Sequence, residues 1–389
     1  MARRLCTLIV GGGIGGLSLA RELTRRGLEC VVLEKTAQLS PVGAGIIMNP
    51  NAMAVLERNG LAGELRDLGW SYLLRETLDH RGGWLATRDY RPLYGAGRIA
   101  VGTLVHRAHL HDVLFRGLPA ETLRFGVRIR ALVSTPDGVR IQVEDGSTIE
   151  GDVLVGADGI HSQVRNRFLG AVAPLYLGYR SHRLVVENRD RIEHFTEFYG
   201  RGKRIGLVPI SKELLYVWTT FNSPLSSRDW ALGSVAAFRA CFAEFTDSRV
   251  VGAFAQLETT AGILCTDIEE IRLDRWRTGR VVLLGDAAHA LSPNMGQGAG
   301  MAMEDAAVLA DELAAVQAEE TTLEAALESY VARRRPRVAT VVGLSRAIGA
   351  DGQRTSRLGC WLRNRRLRRD GHDVDGVNAN LERLLAYPL

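Results

Sequence analysis

The sequence predicts an α/β fold: a parallel-sheet domain assembled from two distant strand–loop–helix units, an antiparallel sheet inserted between them, and a helical C-terminal segment. Three observations lead there. The apolar run Leu8-Ile9-Val10 passes through Gly11-Gly12-Gly13-Ile14-Gly15-Gly16 into a helical pattern of Leu17, Leu19, Ala20 and Leu23, and a second apolar run, Cys30 to Leu33, ends in Glu34. Far along the chain, Val281 to Leu284 breaks at Gly285-Asp286, Pro293 follows after six intervening residues, and Gly296-Gln297-Gly298-Ala299-Gly300 opens another helix with Ala302, Ala306, Leu309 and Leu313. Between them, residues 170–280 concentrate aromatics and alternate with strand period.

The first unit is a βαβ dinucleotide fingerprint. Gly11 serves the tight turn, Gly13 the close approach of a pyrophosphate and Gly16 the helix–strand packing, while Glu34 is placed for ribose hydroxyls. By itself this motif does not separate FAD from NAD. The second unit makes the separation, because an FAD is long enough to need both. Its glycines let a flat, partly anionic ligand approach a helix start with unpaired N–H groups, and Asp286 at the strand end is placed to accept from ligand hydroxyls.

In chain order, Ser40 to Asn51 reads as a Gly/Pro-containing loop before an amphipathic stretch with Ala54, Leu56 and Leu61. Leu104 to Leu110 reads as the beginning of a helix whose His106, His109 and His111 are packing or surface residues, since no carboxylate and Cys set completes a metal site. From Leu123 to Val155, three short strands are joined by turns at Asp137-Gly138 and Asp145-Gly146. Gly156-Ala157-Asp158-Gly159 then follows a strand and leads to a basic helix start. The sheet over 170–280 offers Arg204, Tyr216, Trp218 and His182 as candidates around a flat ring, with sheet packing as the alternative for each aromatic and a surface role as the alternative for Arg204. Beyond the second motif the reading is a Met301 to Gln317 helix, a second helix through Tyr330, a restart around Pro336, and a basic stretch from Trp361 to Arg369 read as a solvated helix face, with membrane-surface or partner contact as the alternative.

Composition excludes several classes. With 46% hydrophobic and 24% charged residues, the chain is an ordinary globular one rather than a disordered one. Its +5 charge is almost all arginine, only Lys35, Lys203 and Lys212 being lysines, which does not describe a nucleic-acid surface. The five cysteines are scattered, without metal or redox spacing, and read as reduced thiols of a cytoplasmic protein. No apolar run reaches membrane length, so no stable membrane insertion is expected.

The pattern Gly285-Asp286, six residues, Pro293, two residues, Gly296-Gln297-Gly298 resembles the second FAD signature of the group A, para-hydroxybenzoate hydroxylase-like flavin monooxygenases. The resemblance extends along the whole chain. It implies a Rossmann-type, glutathione reductase-like FAD domain over 1–170 and 275–340, a substrate sheet domain over 171–274 and a helical segment over 341–389. It also implies that Asp286 takes the ribityl chain, that Pro293 lies beside the reactive edge of the isoalloxazine, and that Gly296 to Ala299 face its pyrimidine side. Carried over residue by residue, it places Gly11, Gly13, Gly15, Gly16, Glu34, Lys35, Arg107, Ile129 and Asp158 on the FAD. Gly43 to Gly45 and Ile47 fall where the isoalloxazine swings, with a plain connector as the lesser alternative. Locally, Arg201 to Pro209 with Tyr216-Val217-Trp218 is similar to FAD urate hydroxylases and to alkylquinolone 3-hydroxylases, and Arg183-Leu184-Val185-Val186 to the latter.

In that family NAD(P)H reduces FAD, O2 adds to form a C4a-hydroperoxide, and its distal oxygen passes to an electron-rich ring. The implied activity is hydroxylation of an aromatic or N-heteroaromatic small molecule, with Pro293, Arg204 and Tyr216 as the catalytic candidates. NAD(P)H is expected to bind transiently, since no second dinucleotide fingerprint occurs, and the protein to be a monomer or homodimer. A non-oxygenating FAD reductase or an epoxidase of the same fold is the alternative, with a non-enzymatic flavin-binding protein behind both; the absence of Trp-x-Trp sets a flavin halogenase aside.

Overall fold

The computed structural model describes residues 4–38, 44–225 and 233–387. Its first sheet runs in the order Arg277–Thr278, Val281–Leu283, Val153–Gly156, Cys6–Val10, Glu29–Leu33, Leu123–Arg124. Every pairing is parallel except that of the Arg277–Thr278 edge. Strands covered on both faces must be apolar throughout, and Leu8, Ile9, Val153, Leu154, Val155, Val281 and Val282 are fully buried. The Ile14–Arg25 and Gly298–Gln317 helices, one from each glycine motif, pack on each other. Side chains would hold them apart: a Cβ on Gly15 would run into Leu284 and Ala302.

The second sheet orders Leu264–Glu270, Leu175–Glu187, Leu214–Asn222, Lys203–Pro209, Phe195–Tyr199, Leu74–Asp79 and Trp84–Asp89. It is antiparallel except where Phe195–Tyr199 pairs in parallel with Leu74–Asp79. Two of its strands thus come from outside residues 171–274. One face packs Phe198, Ile205, Leu207, Val217 and Phe221 against Phe238, Phe242 and Phe254 of the Val235–Cys241 and Ser248–Ala255 helix region. The opposite face looks into a cavity between the sheets. Because successive strand residues point to opposite faces, one register decides which residues reach that cavity.

Several elements differ from the sequence reading. Gly45–Met48, expected as loop, is a strand paired antiparallel with Thr103–His106, favoured by Ile46 and Ile47. Leu104 to His106 belong to that partner strand; the helix starts at Arg107, with His106 Nδ1 accepting from the Ala108 amide at 3.3 Å. The meander strands are Ile129–Ser134, Val139–Val143 and Thr148–Gly151. The run expected as its last strand divides at Asp152, whose carboxylate accepts from the Cys6 amide at 2.8 Å, and its second half joins the parallel sheet. No restart occurs at Pro336: Leu323–Gly352 is one helix, held on both sides of the proline by Arg334 and Arg337. The Arg357–Gly371 and Val374–Leu385 helices complete the described chain, in which no helix is long and apolar enough to cross a membrane.

Candidate active site

A cavity of about 760 Å³ lies between the two sheets. Its two ends are built differently. One end is largely backbone. Gly13 and Gly15 at the first helix start, Gly285, Asp286, Pro293, Gly296, Gly298 and Ala299 of the second motif, and Gly45 and Ile47 of the short strand all line it. Neither Gly13 nor Gly298 has a neighbour within 4 Å of a Cβ position, so both helix starts stand open with first-turn N–H groups lacking intrahelical acceptors. Gly11 takes φ +110° and donates its amide to Leu33 O at 2.9 Å, so that a Cβ there would strike Ala157. Gly16 lies against Gly11 O and admits no side chain.

Asp286 opens the short Asp286–His289 helix; it is open to the cavity and otherwise ringed by protein. Burial raises its carboxyl pKa, a push that Asp305 assists and that His289 and Arg107 oppose. Arg107 lines the same end, and burial together with the like charge of Arg183 lowers its pKa against the pull of Asp286. Beneath the loop runs a buried charge network. Asp305 Oδ2 accepts from the Gly285 amide at 3.0 Å and lies 2.6 Å from His289 Nε2, while its Oδ1 accepts from Arg334 Nε at 2.7 Å. Glu304 takes Arg334 Nη1 at 2.6 Å, Arg337 Nη2 at 3.0 Å and Asn51 Nδ2 at 2.7 Å. Burial alone would raise the Asp305 pKa, but His289 and Arg334 more than offset it and hold it at about 2.

The other end is made of side chains. Arg204 and Arg75 line it beside Tyr72, Tyr90, Phe195, Tyr216 and Trp218. Arg204 Nη1 donates to Glu197 Oε1 at 3.0 Å, Nη2 donates to Asn294 Oδ1, and Arg75 Nη2 donates to the other Glu197 oxygen. One carboxylate therefore serves two guanidiniums, and the Nε atoms of both arginines are buried without a hydrogen-bond partner. Burial acts to raise the Glu197 pKa, yet Arg75 and Arg204 bring it below the ordinary value. The Arg204 guanidinium lies 5.5 Å from the Trp218 ring and 5.6 Å from that of Tyr199. Glycines make this possible: a Cβ on Gly206 would enter the Trp218 ring, one on Gly352 the Arg204 side chain, and one on Gly45 the Tyr216 ring. Burial pushes the Tyr216 phenol up to about 12, so it is a proton donor at neutral pH.

The predicted residues distribute as follows. Gly13, Gly15, Gly45, Ile47, Arg107, Asp286, Pro293, Gly296, Gly298, Ala299, Arg204 and Tyr216 converge on the cavity. Glu34 stands beside it, its Oε2 accepting from the Gly12 amide at 2.7 Å and its Oε1 from Thr36. Lys35 is exposed on the surface, and Ile129 begins the meander. Asp158 Oδ2 accepts from the Gln163 and Val164 amides at 2.7 and 3.2 Å, while Gly159, Ile160 and His161 after it line the cavity. Gln297 turns away and pairs with Asn51, its Nε2 donating to Asn51 Oδ1 at 3.1 Å. Gly43 lies outside the described residues. Arg204 is buried, which removes the surface alternative. His182 is corrected: it points to the helix-covered face, stacked on Phe221 at 4.9 Å, because its neighbours Ser181 and Arg183 take the cavity side.

The sequence reading missed Arg75, Glu197 and Asn294. Glu197 had a signal, being a carboxylate in the aromatic strand Phe195–Tyr199, and Asn294 directly follows Pro293. Asn294 also donates to Tyr179 Oη at 3.0 Å and Ser345 O at 2.9 Å, so it fastens Arg204 to the second motif. Among the described residues no His, Cys, Asp and Glu group could hold a metal ion.

A two-motif cavity of this kind defines a flavoprotein, and comparison with known proteins agrees. The chain belongs to the FAD binding domain family, which matches residues 4–345. It is 34% identical to aurachin C monooxygenase/isomerase of Stigmatella aurantiaca, covering 100% of this chain and 99% of that protein. It is also 34% identical to 2-heptyl-3-hydroxy-4(1H)-quinolone synthase of Pseudomonas aeruginosa, covering 92% and 93%. Klebsiella pneumoniae HpxO, solved with FAD and uric acid, superposes with a TM-score of 0.88 at 27% identity over 99% of this chain and 97% of that one. The residues present fit FAD: two side-chain-free helix starts for its pyrophosphate and ring, Asp286 and Glu34 for hydroxyls, and Arg107 for the anionic part.

Proposed function

We propose that the protein is an FAD-dependent monooxygenase that hydroxylates a flat, ionisable aromatic or N-heteroaromatic molecule, with NAD(P)H as electron donor and O2 as oxygen source. The observation that carries the substrate class is the Arg75–Glu197–Arg204 cluster, a buried excess of one positive charge in the cavity wall. An isolated buried cation is costly, so this wall favours an anionic partner. Relatives support the ring: one makes a hydroxyquinolone, and HpxO was solved with uric acid.

FAD, when bound, supplies the electron transfer and the activation of O2. The chain does the rest. Asp286 and the Gly13 and Gly298 helix starts hold and orient the cofactor. Trp218, Phe195 and Tyr216 sandwich the substrate and exclude water. Arg204 sits beside the ring's ionisable hydroxyl or N–H and favours its deprotonated form, since an opposite charge within about 4–6 Å lowers a pKa by about 1–3 units. That deprotonation makes the ring electron-rich. Tyr216 keeps its proton and donates a hydrogen bond. The division into an FAD domain over 1–170 and 275–340, a sheet domain over 171–274 and a helical segment belongs to the same proposal, as does transient surface docking of NAD(P)H.

The test is NAD(P)H consumption by the purified yellow protein against a panel of phenols and N-heteroaromatics, scoring hydroxylated product and peroxide. Coupled product from one of these classes is the expected result. Peroxide without product across the panel would favour the non-oxygenating reductase, and turnover of alkenes alone the epoxidase.

A further inference from the structure

The Arg357–Gly371 helix is built inside out. Toward the protein it buries only the small Cys360 and Arg363, 3% exposed, whose guanidinium donates to Gly200 O and Asp351 O and lies 5.1 Å from the Tyr199 ring. Toward solvent it presents Leu358, Trp361 and Leu362, which are 66%, 53% and 52% exposed. Spacings of three and four residues put these three on one face, and the same face continues into Arg365 and Arg369. The Arg365 guanidinium lies 5.6 Å from the Trp361 ring.

Charge says what covers this face. Residues 354–369 contain seven arginines and no acidic residue. Asp351 pairs with Arg354 and Arg366, Arg368 reaches Asp79 at 3.7 Å, and Arg369 pairs with Asp370. Among the described residues no ion pair forms on Arg357 or Arg365, which bracket the apolar trio. Two copies of such a face would oppose like charges, whereas an acidic surface complements it. A Trp and two Leu side chains beside arginines suit the boundary between lipid headgroups and acyl chains, where the apolar parts bury and the guanidiniums reach phosphate. At fifteen residues the helix lies on a bilayer and does not span it.

We propose that this face docks the protein on an anionic lipid surface, with Leu358, Trp361 and Leu362 entering the headgroup–acyl boundary and Arg357 and Arg365 pairing with lipid phosphates. Arg363 and Tyr199 connect the same helix to the sheet that carries Arg204, so the docked side adjoins the cavity wall.

The FAD-loaded protein is sedimented with vesicles of phosphatidylcholine alone and of phosphatidylcholine mixed with phosphatidylglycerol. It is expected to bind the mixed vesicles, less so as salt rises, and to ignore the neutral ones. Substituting Leu358→Ser, Trp361→Ser and Leu362→Ser together lowers the partition coefficient at least about tenfold, as does the pair Arg357→Gln and Arg365→Gln, with FAD content and Tm unchanged. The chain has six tryptophans, so the Trp361 signal is read as wild type minus Trp361→Phe, and it shifts to the blue on mixed vesicles only. Equal binding by the triple variant would overturn the proposal. So would binding to neutral vesicles alone, a dimer that the triple variant abolishes, or capture of an acidic protein without vesicle binding.

Discussion

Two of the buried charge clusters among the described residues are balanced differently. Beneath the second glycine motif, Glu304 and Asp305 face Arg334 and Arg337, two carboxylates for two guanidiniums, and Arg334 makes bonds to both acids. In the cavity wall, Glu197 alone faces Arg75 and Arg204, and both Nε atoms lack partners. The first cluster is closed and holds a loop in place; the second carries an unbalanced positive charge, which under the proposed function is what a ligand meets. Each cluster pairs fully buried groups with one partly buried arginine, Arg337 at 9% and Arg75 at 14% side-chain exposure, so balance rather than depth separates the scaffold from the proposed site.

Breaking the closed cluster should have the largest effect. Asp305→Asn is expected to cost about 3–5 kcal/mol, because Arg334 loses one of its two carboxylates and Gly285 its charged acceptor; thermal unfolding reads this. The same residue sets an acid dependence. A carboxyl held at about 2 against an ordinary 3.8 contributes stability that is present above the ordinary value and lost as pH falls through about 2. Wild type should therefore lose roughly 2 kcal/mol more than Asp305→Asn between about pH 4 and pH 2.

Opening the other cluster further should affect catalysis more than stability. Arg204→Ala leaves Glu197 paired with Arg75, so it is expected to unfold less than 3 kcal/mol below wild type, a bound of about the size of one orphaned buried polar group. Its kcat/KM should fall on the order of 100-fold, the scale for removing one preorganised charge donor. Equal losses of stability in Asp305→Asn and Arg204→Ala would erase the distinction between the clusters. Asp286→Ala comes next, with FAD binding about 10–100-fold weaker by titration of the apoprotein. Glu34→Gln is the smallest, a few-fold at most, since the Gly12 amide keeps an acceptor in the Gln carbonyl.

The cofactor end was legible in the sequence because backbone builds it. Gly11 and Gly16 allow no other residue in their places, and Asp286 and Pro293 sit at fixed steps from Gly285, so spacing alone brought them to one cavity. The proposed substrate end depends on which strands pair and in what register. Arg75 meets Glu197 only because Leu74–Asp79 adds in parallel to Phe195–Tyr199 across a long sequence separation, and no local pattern announces that. His182 shows the cost of a single register step: one residue from Arg183 along the strand, it belongs to the opposite face. At Pro336 the local rule failed for the same kind of reason, buried ion pairs on each side outweighing one lost backbone hydrogen bond.

The most direct measurement is the pH profile of coupled hydroxylation by wild type and Arg204→Ala, with a substrate whose hydroxyl or N–H ionises near neutrality. If the open cluster favours the anion, the variant's product yield falls and its profile moves to higher pH by about 1 unit or more, toward the substrate's own pKa. Identical profiles with undiminished product would contradict the account.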